Sequence, residues 1–212
     1  RYLDAIMIRT FAQADVDELA EHADIPVING LTDEFHPCQA LADVLTIRER
    51  LGGFEGVRVA YLGDGNNVCH SLIVACAKLG ADVVVATPPG YEPDGEVLAW
   101  ARAAAEADGT AVELTNDPRA AAAGADVLYT DVWTSMGQEE EREQRLADLA
   151  GFGIDADLVA LASERAIVLH CLPAHYGEEI AEDVLYGERS AVWDQAENRL
   201  HAQKALMALV IK

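Results

Sequence analysis

The sequence predicts an α/β fold in which a parallel sheet is flanked by helices. Short apolar runs alternate with longer amphipathic segments from Val57 to Leu169, a rhythm typical of strand–helix–strand units. Hydrophobic residues make up 51% of the 212 residues, which is enough for a sizeable core. Ligands of such sheets bind at the carboxyl ends of the strands, so candidate functional residues are sought there.

The individual elements follow from residue spacing and from the Gly and Pro residues that interrupt it. Strands are predicted at residues 2–8, 25–28, 57–62, 83–86, 112–114, 127–130 and 167–169. Helices are predicted at residues 16–22, 38–51, 67–79, 94–107, 118–123, 139–149, 178–185 and 198–211. In the second helix, Leu41, Val44 and Leu45 recur at helical spacing, and Gly52 ends the pattern.

The charge balance is strongly acidic, with 37 acidic and 15 basic residues and a formal net charge of −22. The acids are spread along the whole chain, and the hydrophobic content is too high for disorder. This acidic, Lys-poor composition is typical of adaptation to high salt, where counterions screen self-repulsion, and it predicts a halophilic source. It also argues against nucleic acid or an anionic membrane as a partner.

The four cysteines, Cys38, Cys69, Cys76 and Cys171, form no C-x-x-C pair, so neither a zinc ribbon nor a thioredoxin-like site is indicated. Signal-peptide features and a bilayer-spanning apolar stretch are not found, so a cytoplasmic, reduced protein is expected. Arg1 leads directly into an apolar run without a starting Met, which suggests a fragment.

A glycine turn after a predicted strand, residues 63–68, invites a dinucleotide-binding interpretation. That fingerprint needs a third Gly where Val68 stands, and an acidic residue at the end of the next strand, which ends at Ala86. Nucleotide binding is therefore disfavoured. The alternative is a plain turn in which Asn66 caps the following helix.

Two further polar motifs lie at helix starts or strand ends. In residues 36–39, His36 can donate to an oxygen and Gln39 can hold an amide or carbamoyl group, although an ordinary helix start is the alternative. In residues 131–139, Asp131 supplies a carboxylate for an ammonium group, and Ser135 and the backbone near Met136 can meet a carboxylate or an amine. The alternative there is a loop in which Ser135 caps the next helix.

The segment 170–175 combines His170, Cys171 and His175 at a strand end. A metal site would need more ligands, none of which is evident at a usual spacing, and a nucleophilic Cys171 would need a positioned base. A buried Cys in a tight Pro turn is equally compatible. Arg199 and Arg9 are possible partners for phosphate or carboxylate, but each is weak evidence alone.

Taken together and in this order, these segments resemble those of the ornithine carbamoyltransferases. The motifs are Ile8-Arg9-Thr10, His36-Pro37-Cys38-Gln39, Gly63-Asp64-Gly65-Asn66-Asn67, Asp131 with Ser135-Met136-Gly137, His170-Cys171-Leu172-Pro173 and Glu197-Asn198-Arg199. The resemblance covers essentially the whole chain. It implies a Rossmann-like ornithine-binding domain plus the end of a second α/β domain that binds carbamoyl phosphate.

The resemblance implies transfer of a carbamoyl group from carbamoyl phosphate to the side-chain amine of ornithine, giving citrulline and phosphate, without a cofactor or metal. Carbamoyl phosphate would be held by Arg9, His36, Gln39 and Arg199, and ornithine by Asn67, Asp131, Ser135 and Met136. Cys171 and Leu172 would lie by the reacting carbon and the attacking amine. His36 would polarise the carbonyl, and Arg9 would support the developing negative oxygen.

The implied organisation is the end of the carbamoyl-phosphate domain at 1–52, the ornithine domain at 53–190 and a returning helix at 191–212, in a trimer. The family's phosphate-gripping Ser-x-Arg-Thr-Arg segment does not occur, which leaves open whether this chain is active alone. Three alternatives remain open: a transcarbamoylase for another amine such as putrescine, a nicotinamide-dependent oxidoreductase, and a non-catalytic amino-acid-binding domain.

Overall fold

The computed structural model describes residues 2–134 and 139–211, and it has the predicted α/β fold. The strands are β1 (Ile6–Arg9), β2 (Val27–Leu31), β3 (Arg58–Leu62), β4 (Asp82–Ala86), β5 (Val112–Thr115), β6 (Val127–Thr130) and β7 (Ile167–His170). The helices are α1 (Gln13–His22), α2 (Pro37–Leu51), α3 (Asn67–Lys78), α4 (Gly95–Asp108), α5 (Pro118–Ala122), α6 (Arg142–Asp148), α7 (Ala156–Val159), α8 (Glu182–Leu185) and α9 (Val192–Val210). Within the part of the chain that is described, no helix is both long and apolar enough to cross a membrane.

The strands form two parallel sheets. β1 pairs with β2, and the larger sheet has the order β5-β4-β3-β6-β7 with every pairing parallel. From β3 the chain builds outward to β5, then returns to place β6 on the other side of β3. The loops that leave β3 and β6 therefore diverge at this point, which is where ligands of open parallel sheets bind.

The larger sheet carries a hydrophobic core on each face. One face packs under residues of α2, α3 and α4, and the other packs under α5, α7 and α8. Helix α9 lies along α2, where the Nδ2 of Asn198 donates to Thr46 Oγ1 at 3.0 Å and to Glu49 Oε2 at 2.8 Å. An ion pair between Arg50 and Asp194 adds to the same contact. The last helix is thus fixed to the first part of the chain.

Several predicted boundaries were wrong. The last helix begins at Val192 rather than at residue 198, since Val192 and Gln195 already form a buried helical turn. The helix predicted at 178–185 is limited to 182–185, because Ile180 is bridged to Ile154 and its carbonyl accepts from Gly177. The predicted strand 2–8 is displaced to β1 and 25–28 to β2, and the helix predicted at 139–149 is a 3-10 turn followed by α6. The short helix α7, capped by Asp155, was not predicted.

Candidate active site

Three polar side chains meet where β3, β6 and β7 end. Asn66 caps α3, its Oδ1 accepting from the backbone N–H groups of Val68 and Cys69 at 3.0 and 3.1 Å. Its Nδ2 donates to Oδ2 of Asp131 at 2.8 Å, and the thiol of Cys171 donates to Oδ1 of the same carboxylate at 2.8 Å. Asp131 is thus oriented from both neighbouring strands.

The thiol of Cys171 is a hydrogen-bond donor in this arrangement. Burial raises its pKa well above the usual range, and the nearby charge of Asp131 raises the pKa further. A thiolate is the nucleophilic form of cysteine, so these surroundings disfavour covalent catalysis by Cys171.

The backbone at Leu172 is held in the left-handed region, with φ of 59°. Its N–H donates to Nδ1 of His170 at 2.9 Å, and Nε2 of the same ring lies 3.1 Å from Oε1 of the buried Glu179. This left-handed conformation is uncommon for a residue with a side chain. The buried His170–Glu179 pair supports it next to Cys171.

The fold also brings Asp131 next to His170 and Cys171. Asp131 is therefore a third possible metal ligand, which the local sequence spacing did not reveal. Their ligand atoms lie within 4.8 Å of one another. All three residues already bond within the protein, since Cys171 donates to Asp131 and His170 bonds Leu172 and Glu179. Protein contacts account for this cluster without an ion.

A second polar cluster surrounds the start of α2. The backbone N–H of His36 donates to Ser71 Oγ at 2.7 Å, and Pro37 occupies the first turn as predicted. Burial, together with the positive charges of Arg199 and Arg9, lowers the pKa of His36 to about 4. The ring is therefore neutral at physiological pH and can donate one N–H to a substrate oxygen. Among the described residues, its buried Nδ1 has no partner.

Gln39 follows His36 by one helical turn and points into the same region. Its Oε1 accepts from Nη1 of Arg199 at 2.6 Å, and its Nε2 donates to Asp43 Oδ1 at 2.8 Å. The positive charge of Arg199 opposes the burial effects that raise the pKa values of Asp43 and Cys171. Asp43 also accepts from Nε2 of Gln195, whose Oε1 accepts from the backbone N–H of His170 beside Cys171, so hydrogen bonds join the two polar clusters into one site.

Asn67, at the start of α3, is hydrogen-bonded to the backbone of the first part of the chain. Its Nδ2 donates to the carbonyl of Thr32 at 2.6 Å, directly after β2. Its own carbonyl accepts from the hydroxyl of Ser71 at 3.0 Å, and that hydroxyl oxygen accepts from the backbone N–H of His36. The first turn of α3 is thus linked both to the end of β2 and to the start of α2.

The glycine turn after β3 is covered by another loop. A Cβ at Gly65 would lie 2.6 Å from the carbonyl oxygen of Tyr91, to which Gly65 N–H donates at 2.8 Å. The adjoining Asp64 pairs with Arg145. Gly65 is required by this close approach, so the turn is not open to a pyrophosphate, which further disfavours a dinucleotide.

The residues selected from sequence are distributed as follows. Arg9 lies exposed at the end of β1, His36 and Gln39 begin α2, and Arg199 reaches them from α9. Asp131, Cys171 and Leu172 lie at the ends of β6 and β7. Ser135 and Met136 lie outside the described residues.

Three connecting residues were missed from sequence: Asp43, Tyr129 and Gln195, all fully buried. A signal existed for the first. Gln39, Asp43 and Thr46 follow one another at spacings of four and three, which places three polar residues on one side of α2. A polar stripe on a helix face that is otherwise buried indicates a hydrogen-bonded network.

Comparison with known proteins agrees with this geometry. The model of the aspartate/ornithine carbamoyltransferase Asp/Orn binding domain matches residues 55–210, and that of the carbamoyl-P binding domain matches residues 1–49. The chain belongs to the aspartate/ornithine carbamoyltransferase family. The ends of β3, β6 and β7 lie in the part matched by the Asp/Orn binding domain, and the start of α2 lies in the part matched by the carbamoyl-P binding domain.

Relatives within the family match the chain along its length. Ornithine carbamoyltransferases from Pyrococcus horikoshii and Acidothermus cellulolyticus are 57% and 59% identical over 211 residues, covering 100% of this chain and 67% and 68% of the relatives. The solved ornithine carbamoyltransferase from Pyrococcus furiosus has a TM-score of 0.96 at 57% identity, covering 99% of this chain and 67% of that one. The structure from Gloeobacter violaceus has a TM-score of 0.93 at 52% identity, covering 100% of this chain and 71% of that one.

Proposed function

We propose that this protein transfers the carbamoyl group of carbamoyl phosphate to the side-chain amine of L-ornithine, giving L-citrulline and phosphate. The observation that carries the proposal is that hydrogen bonds join Asp131 and Cys171 to the cluster of His36, Gln39 and Arg199 in one site. Relatives at 57–59% identity over the chain bear the name ornithine carbamoyltransferase. Neither a cofactor nor a metal is needed for this reaction.

The carbamoyl phosphate would lie against the start of α2. Arg199 and Arg9 supply positive charge for its phosphate and for the oxygen that becomes negative in the tetrahedral intermediate. His36 is neutral, so its N–H can donate to the carbonyl oxygen without carrying a competing positive charge. The Oε1 of Gln39, which accepts from Arg199, can also accept from the NH2 of the carbamoyl group.

Ornithine would lie at the ends of β6 and β7. Asp131 would pair with its α-ammonium group, and Asn67 with the Ser135–Met136 segment would fix its carboxylate. Cys171 and the carbonyl of Leu172 would orient the side-chain amine, which must be neutral to attack. The amine attacks the carbonyl carbon, which forms the new C–N bond and the tetrahedral intermediate. When this intermediate collapses, the C–O bond to phosphate breaks, and the proton lost by the amine leaves with phosphate. Catalysis is then mainly positioning and oxyanion stabilisation.

The organisation we propose places the end of the carbamoyl-phosphate domain at 1–52, the ornithine domain at 53–190 and the returning segment at 191–212. Its support is the match of the two domain models and the packing of α9 on α2. We further propose a cytoplasmic trimer. Arginine biosynthesis is favoured over degradation because the Pyrococcus furiosus relative is named the anabolic enzyme.

The decisive experiment is citrulline formation from carbamoyl phosphate and L-ornithine, by this chain and by a version extended upstream to carry the Ser-x-Arg-Thr-Arg segment, with putrescine as the competing acceptor. We expect turnover with ornithine and a much lower kcat/KM with putrescine, which lacks the carboxylate that Asn67 and the 135–136 segment would hold. A preference for putrescine would overturn the acceptor assignment. The cofactor-dependent alternative would require saturable binding of a nicotinamide nucleotide in a titration.

The acidic composition supports a high-salt environment, because multimolar salt screens the repulsion within a net charge of −22. Thermal unfolding followed by circular dichroism should therefore move to higher temperature as KCl rises from dilute buffer to multimolar concentration. A melting temperature that does not rise would count against a halophilic source.

A further inference from the structure

A buried carboxylate lies where α2, β6 and α9 meet. Asp43 is fully buried, and its Oδ1 accepts from Nε2 of Gln39 at 2.8 Å and from Nε2 of Gln195 at 2.7 Å. Its Oδ2 accepts from the hydroxyl of Tyr129 at 3.1 Å. Three donors from three elements therefore converge on one side chain that is closed off from solvent.

Two of these donors lead directly to residues of the site. Gln39 accepts from Arg199 through Oε1, so the bond to Asp43 sets which end of the Gln39 amide faces the arginine. Gln195 accepts from the backbone N–H of His170 at 2.9 Å, immediately before Cys171. Asp43 is thus one hydrogen-bonded residue away from both sides of the site.

The third donor leads to the carboxylate proposed to hold ornithine. The ring of Tyr129 stacks on that of Tyr61 with centroids 5.7 Å apart. The hydroxyl of Tyr61 donates to Asn66 Oδ1 at 3.3 Å, and Asn66 donates to Asp131. Contacts that begin at Asp43 therefore reach the groups assigned to both substrates.

A carboxylate in this position carries an energetic cost. Burial raises the pKa of Asp43 to about 7, although the bonds from Gln195, Gln39 and Tyr129 and the charge of Arg199 favour the ionised form. A buried charged group is a weak device for stability, since apolar residues of similar volume often pack as well or better. A role in fixing the geometry of its neighbours explains its presence better.

We propose that Asp43 is a positioning residue for the carbamoyl transfer: it orients Gln39, and through it Arg199, for carbamoyl phosphate. Through Gln195 and Tyr129 it also aligns the strand ends that carry Cys171 and Asp131. Asp43 itself contacts neither substrate. This inference rests on the proposed function, and its test must separate positioning from a purely structural contribution.

The test is steady-state kinetics of Asp43→Ala and Asp43→Asn, with thermal unfolding of each variant. Thr46→Val is the matched control, because Thr46 is also buried on α2 and bonds Asn198 of α9, but has no bond to Gln39. We expect Asp43→Ala to raise the KM for carbamoyl phosphate about tenfold to a hundredfold, since small misplacements of binding groups have effects of this size. Asp43→Asn keeps one acceptor oxygen for the two glutamines and should show a smaller rise.

The control should lose thermal stability while keeping the wild-type KM for carbamoyl phosphate. If both Asp43 variants fold and keep the wild-type KM and kcat, Asp43 is only structural and the inference is wrong. If Asp43→Ala does not fold, Asp43→Asn alone decides in the same way. If the wild-type protein forms no citrulline even when it is extended upstream with the Ser-x-Arg-Thr-Arg segment, the proposed function is wrong instead, so the two failures are distinguishable.

Discussion

The two faces of the larger sheet differ in what their core residues connect to. Along β3 and β6, Tyr61 and Tyr129 point to the face under α3, while Ala60, Leu62 and Leu128 point to the opposite face. The tyrosine hydroxyls bond to Asn66 and Asp43, which belong to the polar network of the site. The sheet face under α3 therefore serves both packing and site geometry, whereas its other face is an apolar core.

This difference predicts that substitutions on the two faces separate function from stability. Residues at the strand ends and on the tyrosine face should change kinetics, and residues on the apolar face should change the free energy of unfolding.

The largest expected effect is at the end of β6. Asp131→Ala should lower kcat/KM about a hundredfold or more, the scale seen when one key electrostatic contact is removed. Asp126 is a matched control, since it lies at the other end of β6 and bonds Arg165 and Ser163 instead. Asp126→Asn should reduce stability in urea while the kcat/KM stays at the wild-type value. Equal kinetic losses in both variants would contradict the proposed role of Asp131.

The apolar face is tested by Leu128→Ala. Leu128 is fully buried, so this change should lower the free energy of unfolding by about 2–5 kcal/mol, from lost burial and the cavity left behind. The KM values for both substrates should not change while the protein is folded. Urea denaturation and steady-state kinetics give the two measurements, and a kinetic defect without loss of stability would break the distinction between the faces.

The stability of the protein should also depend on pH through His36 of the site. Because the pKa of His36 is about 4 when folded and about 6.5 when unfolded, the unfolded state binds the proton more readily. The stability associated with neutral His36 is therefore fully present above about pH 6.5 and is lost as pH falls through about 4. An NMR titration of the imidazole measures the folded value. A midpoint near 6.5 would show that the ring is not held neutral.

The smallest expected effect is from Tyr129→Phe, which removes one hydroxyl and leaves the ring packed. The hydroxyl donates to Asp43 and accepts from Nε2 of Gln195, and loss of these two hydrogen bonds should cost about 1–3 kcal/mol of stability. Because the hydroxyl bonds Asp43, the KM for carbamoyl phosphate should rise slightly. Leu128→Ala, at the preceding position, should leave this KM unchanged. Unchanged kinetics in Tyr129→Phe would limit the network to Gln39 and Gln195.

The sequence was sufficient to predict the strand–helix alternation and to place candidate residues at strand ends and helix starts, because these positions have local signals. Asn66 as a helix cap and Pro37 at the start of α2 are confirmed examples. The polar spacing on α2 indicates that Asp43 has hydrogen-bonding partners, but these partners, Tyr129 and Gln195, are 86 and 152 positions away and could not be identified from the sequence. Likewise, Asp131 approaches His170 and Cys171 only because β6 and β7 are neighbours, which no local spacing reveals. The early start of α9 was missed because its first turn is ordered by burial rather than by a capping side chain.

The hydrogen bond from Cys171 to Asp131 has a consequence for the durability of the protein. A thiol that is buried beside a carboxylate forms little thiolate at neutral pH, and thiolate is the form that oxidants and alkylating reagents attack. The contact that orients the sulfur therefore also protects it from chemical damage, and Cys171 should be oxidised by air only slowly.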